Sequence, residues 1–144
     1  MTTQEVLLPL FVEVILTFLL LFSLAPLRGG DIRSGVTRPE SVALREPNWS
    51  SRTLQVGYAY SNQFELPVLF YVLTILAYIT HLADLIFVVL AWVFVLFRFL
   101  QAFVHVTNNN IRVRGAMFAV AALVLAIMWV IYMVEVLTLP RPTL

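Results

Sequence analysis

Arg98, Gln101 and His105 stand at i, i+3 and i+7 inside an otherwise apolar stretch of the chain. On a helix that spacing makes one polar stripe, while Phe97, Phe99, Leu100 and Phe103 point elsewhere. Asn62 and Glu65, three residues apart, open the preceding apolar run, and Arg112 and Arg114 open the following one. Guanidinium groups grip carboxylates in a bidentate fork, and a glutamate can receive an ammonium. The set therefore suits a small zwitterionic or anionic ligand. Any one of these residues taken alone serves equally well as a snorkelling or interhelical hydrogen-bonding group, but three arginines, a carboxylate, two amides and an imidazole exceed what packing requires.

These residues must be positioned by membrane helices. Of 144 residues, 61% are hydrophobic and only 12% charged, and the mean hydropathy is +0.93. A soluble domain of this length has too little interior to hide so much apolar surface. The net charge is +1 and all nine basic residues are arginines, so no lysine-rich surface tracks a phosphate backbone and nucleic acid is not an expected partner. With no cysteine there is neither a disulfide nor a thiolate metal site nor a protein thiol nucleophile.

Four spans are predicted, at about 6–27, 65–82, 85–106 and 115–139, each long enough to cross roughly 30 Å of hydrocarbon. The first is expected to be a retained helix and not a cleaved signal peptide. Met1 to Glu5 holds no basic residue, and Pro26 follows the Ser23-Leu24-Ala25 site where cleavage would fall. Pro67 sits where an early helical position tolerates a missing N–H, and Pro140 ends the fourth span. Residues 28–62, with Gly29-Gly30, Pro39, Pro47 and five arginines, read as an extramembrane loop carrying a short interfacial segment near Trp49, Tyr58 and Tyr60. Gly115, Ala119, Ala122 and Ala126 form a small-residue face on the fourth span, read as packing. One domain, an all-α four-helix membrane bundle, accounts for residues 1–144.

The arginines orient the bundle. Five lie in the first connection, and Arg112 and Arg114 in the third, while the N-terminus and the second turn hold none. The positive-inside rule places the first and third connections in the cytoplasm and both termini outside, with Arg141 alone opposing. The tripeptide Asn48-Trp49-Ser50 then lies on the wrong side for glycosylation. The polar clusters of the second, third and fourth spans meet at the cytoplasmic end. Arg98 lies about two turns below that surface, where an ionised arginine costs roughly 2.5–3.5 kcal/mol, and Glu65 is its expected acidic partner. Glu13, nearer the outer half of the first span, could be a relay carboxyl, a subunit contact or a hydrogen-bonded structural group. No metal site is expected. Nor is haem, because His81 and His105 belong to opposite membrane faces.

Asn62-x-x-Glu65-x-Pro67 opening the second helix, together with the stretch from Arg98 through His105 to Asn109, Arg112 and Arg114, resembles the MAPEG family, membrane-associated proteins in eicosanoid and glutathione metabolism, in its bacterial-type members. The resemblance implies a homotrimer of four-helix subunits, with glutathione bound between neighbours near the cytoplasmic face. It further implies that Asn62, Glu65, Arg98 and Arg114 hold that ligand, to which the polar stripe adds Gln101 and the third connection adds Arg112. Departures stand beside these matches. Ser61 occupies the place of a basic residue in catalytic eukaryotic members, Gln101 and His105 stand for a His and a Tyr, and Gly115 and Phe118 replace hydroxyl-bearing residues.

The expectation from sequence is thus an integral protein of a bacterial inner membrane, contacting the lipid bilayer and binding glutathione or a related small thiol. Arg114 would lower the thiol pKa, His105 would act as acid or base, and a lipophilic electrophile or peroxide would arrive from the bilayer. The alternatives are a non-catalytic lipid-binding role and a structural subunit of a membrane complex.

Overall fold

The computed structural model describes residues 1–138. It is all-helical, and four helices are long and apolar enough to cross a membrane: Thr3–Arg33, Ser51–Ile79, Leu85–Val106 and Ile111–Thr138. The chain is an integral membrane protein. Its elements are α1 (Thr3–Arg33), a 3-10 turn (Pro39–Val42), α2 (Ser51–Ser61), a second 3-10 turn (Asn62–Phe64), α3 (Leu66–Ile79), α4 (Leu85–Val106) and α5 (Ile111–Thr138). The expected end of the last span at Leu139 and Pro140, and the opposing Arg141, lie outside the described residues.

Local chemistry sets the ends of these helices. Thr2 and Glu5 form a capping box on α1: the Thr2 hydroxyl accepts from the Glu5 N–H and the Glu5 carboxylate accepts from the Thr2 N–H. Asp84 caps α4 by accepting from the Phe87 N–H at 2.8 Å. The Asn110 side chain caps α5, accepting from the N–H groups of Arg112 and Val113 at 3.1 and 3.2 Å. That cap starts α5 at Ile111, a turn earlier than the expected Gly115.

The polar stretch 28–62 differs most from a loop. α1 continues through Pro26 and Gly29-Gly30 to Arg33. It stops at Gly35, whose φ of 73° supplies the left-handed residue a helix C-terminus uses. Ser51–Ser61 is helical as well, so the irregular connection is shorter than expected. Its ends are tied together, because the Asp31 carboxylate accepts from the Ser50 N–H at 3.0 Å and the Thr37 hydroxyl donates to the Asn48 carbonyl at 2.9 Å. α3 alone, 14 residues long, rises only about 21 Å. The second crossing therefore draws on α2 and the bend as well as on the segment expected from about residue 65.

Packing follows small residues and one aromatic stack. α4 and α5 meet over Ala91 and Ala121, both fully buried, with Phe94, Leu125 and Met128 beside them. The Phe70 and Phe94 rings stack with centroids 4.6 Å apart, tying α3 to α4. α1 buries Val6, Pro9, Glu13, Leu16, Leu20 and Leu24, one helical stripe, and turns Leu8, Phe11, Ile15, Phe18 and Phe22 outward. Leu16 and Leu20 pack with Ala59 of α2 and Ala102 of α4. Within the single chain the small-residue face of α5 is not the buried one: Gly115, Ala119 and Ala126 are exposed and Ala122 is half-buried, while Ala121 is fully buried.

Phe94→Ala should cost about 3–5 kcal/mol, the usual penalty for emptying a buried aromatic site. Denaturant titration of the detergent-solubilised protein checks this, with Phe22→Ala, at an exposed position on α1, expected to shift the transition far less.

Candidate functional site

The site forms around a break in the second crossing. α2 ends at Ser61, and Asn62 is both its C-cap and the first residue of the 3-10 turn. Glu65, with φ −101° and ψ −106°, separates that turn from α3, whose early Pro67 cannot donate back into the preceding turn. Asn62 and Glu65 therefore flank a bend instead of sharing one regular helix face. Carbonyls at such a bend need other donors.

Arg98 supplies one. Its Nη2 donates to the Asn62 backbone carbonyl at 2.7 Å, and its Nη1 donates to Gln101 Oε1 at 2.8 Å. Its Nε lies 3.6 Å from Glu13 Oε1, and both side chains are fully buried. The guanidinium carbon also sits 5.9 Å from the centre of the Phe118 ring, within cation–π reach. The acidic partner is thus Glu13 of α1 and not Glu65. The reason is rotational: Glu13 falls on the buried stripe of α1 that faces α4, whereas Glu65 is exposed at the bend.

Above this pair opens a cleft of about 320 Å³ lined by Tyr58, Asn62, Glu65, Gln101, His105, Arg114, Gly115 and Phe118, within the usual range for ligand pockets of roughly 300–1,000 Å³. Five of the residues expected from sequence, Asn62, Glu65, Gln101, His105 and Arg114, meet here. Arg98 lies beneath the lining, and the exposed Arg112 lies outside it. Both nitrogens of the buried His105 ring lack a hydrogen-bond partner among the described residues. Arg114 brings a cation and Glu65 an anion to the same cleft. Among the described residues no group of three or more His, Cys, Asp or Glu is arranged to hold a metal ion.

The supports of these side chains are local. Arg114 Nη1 donates to Asn109 Oδ1 at 2.6 Å. Asn109 itself takes a left-handed φ of 52°, and its N–H closes the end of α4 on the Val104 carbonyl at 2.8 Å. From the opposite side, α2 satisfies the last carbonyls of α4. Gln55 Nε2 donates to the His105 and Thr107 carbonyls at 2.7 and 3.1 Å, and Arg52 donates to the Val106 carbonyl. The segment before Asn62 is thereby locked to the helix that carries His105.

Sequence reasoning missed Tyr58, Gln55 and Glu13 as parts of this arrangement. Tyr58 had a signal available, since it lies one helical turn before Asn62. It also borders a second, larger cleft of about 720 Å³, whose lining includes Arg28, Arg45, Trp49, Leu54, Tyr60 and Phe64. In that cleft the Arg28 guanidinium stands over the Trp49 ring at 5.3 Å.

Searches of curated proteins and of solved structures give no match to this chain. The family model described as "MAPEG family" matches residues 6–134, a stretch that takes in Glu13, the bend, the polar stripe of α4 and every residue lining the cleft. The chain belongs to the MAPEG family.

Proposed function

We propose that the 320 Å³ cleft binds glutathione or a related small thiol and that the protein transfers that thiol to lipophilic electrophiles or uses it to reduce peroxides. The observation that carries this is the meeting of a cation, Arg114, an anion, Glu65, and the polar side chains of Asn62, Gln101 and His105 in the lining of one cleft. Glutathione offers carboxylates, an ammonium, amides and a thiol, and the lining answers each in kind. Arg114 suits a carboxylate or the sulfur, Glu65 the ammonium, and Asn62 and Gln101 the amides.

In this reading Arg114 favours negative charge near its guanidinium, and a His105 ring nitrogen takes up the proton released there. Gly115 and Phe118 bring no hydroxyl to the cleft, so charge and not a hydroxyl hydrogen bond would stabilise the sulfur. Tyr58 borders both clefts, and a lipophilic partner held among Trp49, Leu54, Tyr60 and Phe64 would reach the thiol past it. The same lack of an α5 hydroxyl favours a second reading, a binding-only accessory role in which the thiol or a lipid is held without being ionised.

The chain is further proposed to act as a single domain, to assemble as a homotrimer and to reside in a bacterial inner membrane. The cleft would face the cytoplasm and both termini the other side. The excess of arginine in the first and third connections supports that orientation. Because the chain has no cysteine, single-cysteine variants report sidedness cleanly. An impermeant maleimide should label His81→Cys in intact cells and Ser34→Cys only after permeabilisation, and the reverse pattern would overturn the orientation.

Calorimetry of the purified protein tests the ligand. Glutathione or a related thiol should bind the wild type, and Arg114→Ala should weaken that binding at least tenfold, about 1.4 kcal/mol. A wild type that binds none of these thiols would remove the enzymatic reading. Crosslinking in native membranes should give a ladder ending at the trimer, whereas a monomer throughout would remove the intersubunit arrangement.

A further inference from the structure

Glu13 takes no part in the cleft lining, yet it is the group on which the cleft's geometry converges. Arg98 is fully buried and touches three of the eight lining residues without lining the cleft itself: the Asn62 carbonyl, the Gln101 amide oxygen and the Phe118 ring. A guanidinium has donors in a rigid fork and no acceptor. Its contact with Gln101 therefore settles which end of that amide faces it: Oε1 is taken, and the NH2 is the group left to offer a ligand. The remaining Nε edge of the fork makes no hydrogen bond, and Glu13 faces it as the ion-pair partner at 3.6 Å, itself fully buried. Neither Glu13 carboxylate oxygen has a hydrogen-bond partner among the described residues, so what orients it there is its ion pair with the arginine.

A buried ion pair is weak support for a fold, because apolar residues of similar volume often do as well or better. Its presence between α1 and α4 calls for another role. We propose that Glu13 is a positioning residue: acting through Arg98, it sets the Asn62 backbone at the bend and turns Gln101 as a donor toward a ligand amide carbonyl. Arg98 is then a strut beneath the cleft, and Arg114 is the guanidinium that meets the ligand. The part concerning the ligand rests on the thiol-binding function proposed above, while the part concerning the bend does not.

The double variant Glu13→Gln/Arg98→Gln separates positioning from folding, because it removes both charges together and leaves no buried ion unpaired. Its unfolding midpoint in detergent should match or exceed that of the wild type. Glutathione should nevertheless bind at least tenfold more weakly, and amide hydrogen exchange across Ser61–Leu66 should be several-fold faster. Wild-type binding together with wild-type exchange in this variant would show that the pair serves folding alone and would overturn the proposal. Should the double variant fail to fold, Glu13→Asp, which keeps the charge but shortens the reach, should fold and show intermediate exchange at the bend. Exchange and affinity unchanged in Glu13→Asp would also overturn it. If the wild type binds no thiol, the proposed function fails, and the exchange comparison alone decides whether Glu13 sets the bend.

Discussion

A guanidinium held inside the hydrocarbon layer has to be neutralised and hydrogen-bonded, or the helix that carries it cannot remain there. Arg98 places that demand on its own helix and on two other segments at once. α1 must present a carboxylate at the right height, α4 must offer Gln101 one turn on, and the second crossing must break so that the Asn62 carbonyl turns inward. The bend, the crossing of α1 over α4 and the floor of the cleft are thus three consequences of one buried charge. Phe118 closes the fourth side and brings α5 into the same arrangement.

Around that centre the helix ends do most of the positioning. α4 terminates among donors from α2, and the residues that satisfy its carbonyls, Gln55 and Arg52, also hold the segment leading to Asn62. Asn109 in its left-handed conformation orients Arg114, while the neighbouring Asn110 starts α5. The run Thr107-Asn108-Asn109-Asn110 thereby does more than reverse the chain: it aims a cation into the cleft. Because few of the lining residues sit on extended loops, the cleft inherits the rigidity of packed helices.

Much of this was legible in the sequence because membrane insertion is a strong and local constraint. Apolar length marks the spans, and the i, i+3, i+7 spacing marks the inward stripe of α4. Asn62, Glu65, Gln101, His105 and Arg114 then follow from bringing helix ends together on one side. What was hidden depends on rotation about helix axes, which composition leaves undetermined. Glu65 seemed the natural partner for Arg98 because both belong to the polar end, yet the azimuth of α1 gives Glu13 that place. The stripe Gly115, Ala119, Ala122, Ala126 has the spacing of a packing face, but within the single chain it is Ala121, one residue away from Ala122, that is fully buried. Gly29-Gly30 suggested a break, whereas the glycine that ends α1 is Gly35, the one with a positive φ. The helicity of Ser51–Ser61 escaped notice because its carbonyl and side-chain partners lie about fifty residues away, on α4.

The chemistry assigned to the cleft comes down to whether it holds negative charge on a bound sulfur. Ultraviolet difference spectroscopy, which sees the thiolate directly, measures this on mixing glutathione with purified protein near neutral pH. A thiolate band that saturates with the bound ligand and is lost in Arg114→Ala is the expected result. Saturable binding with no thiolate band would contradict it and leave the protein a binder without the chemistry.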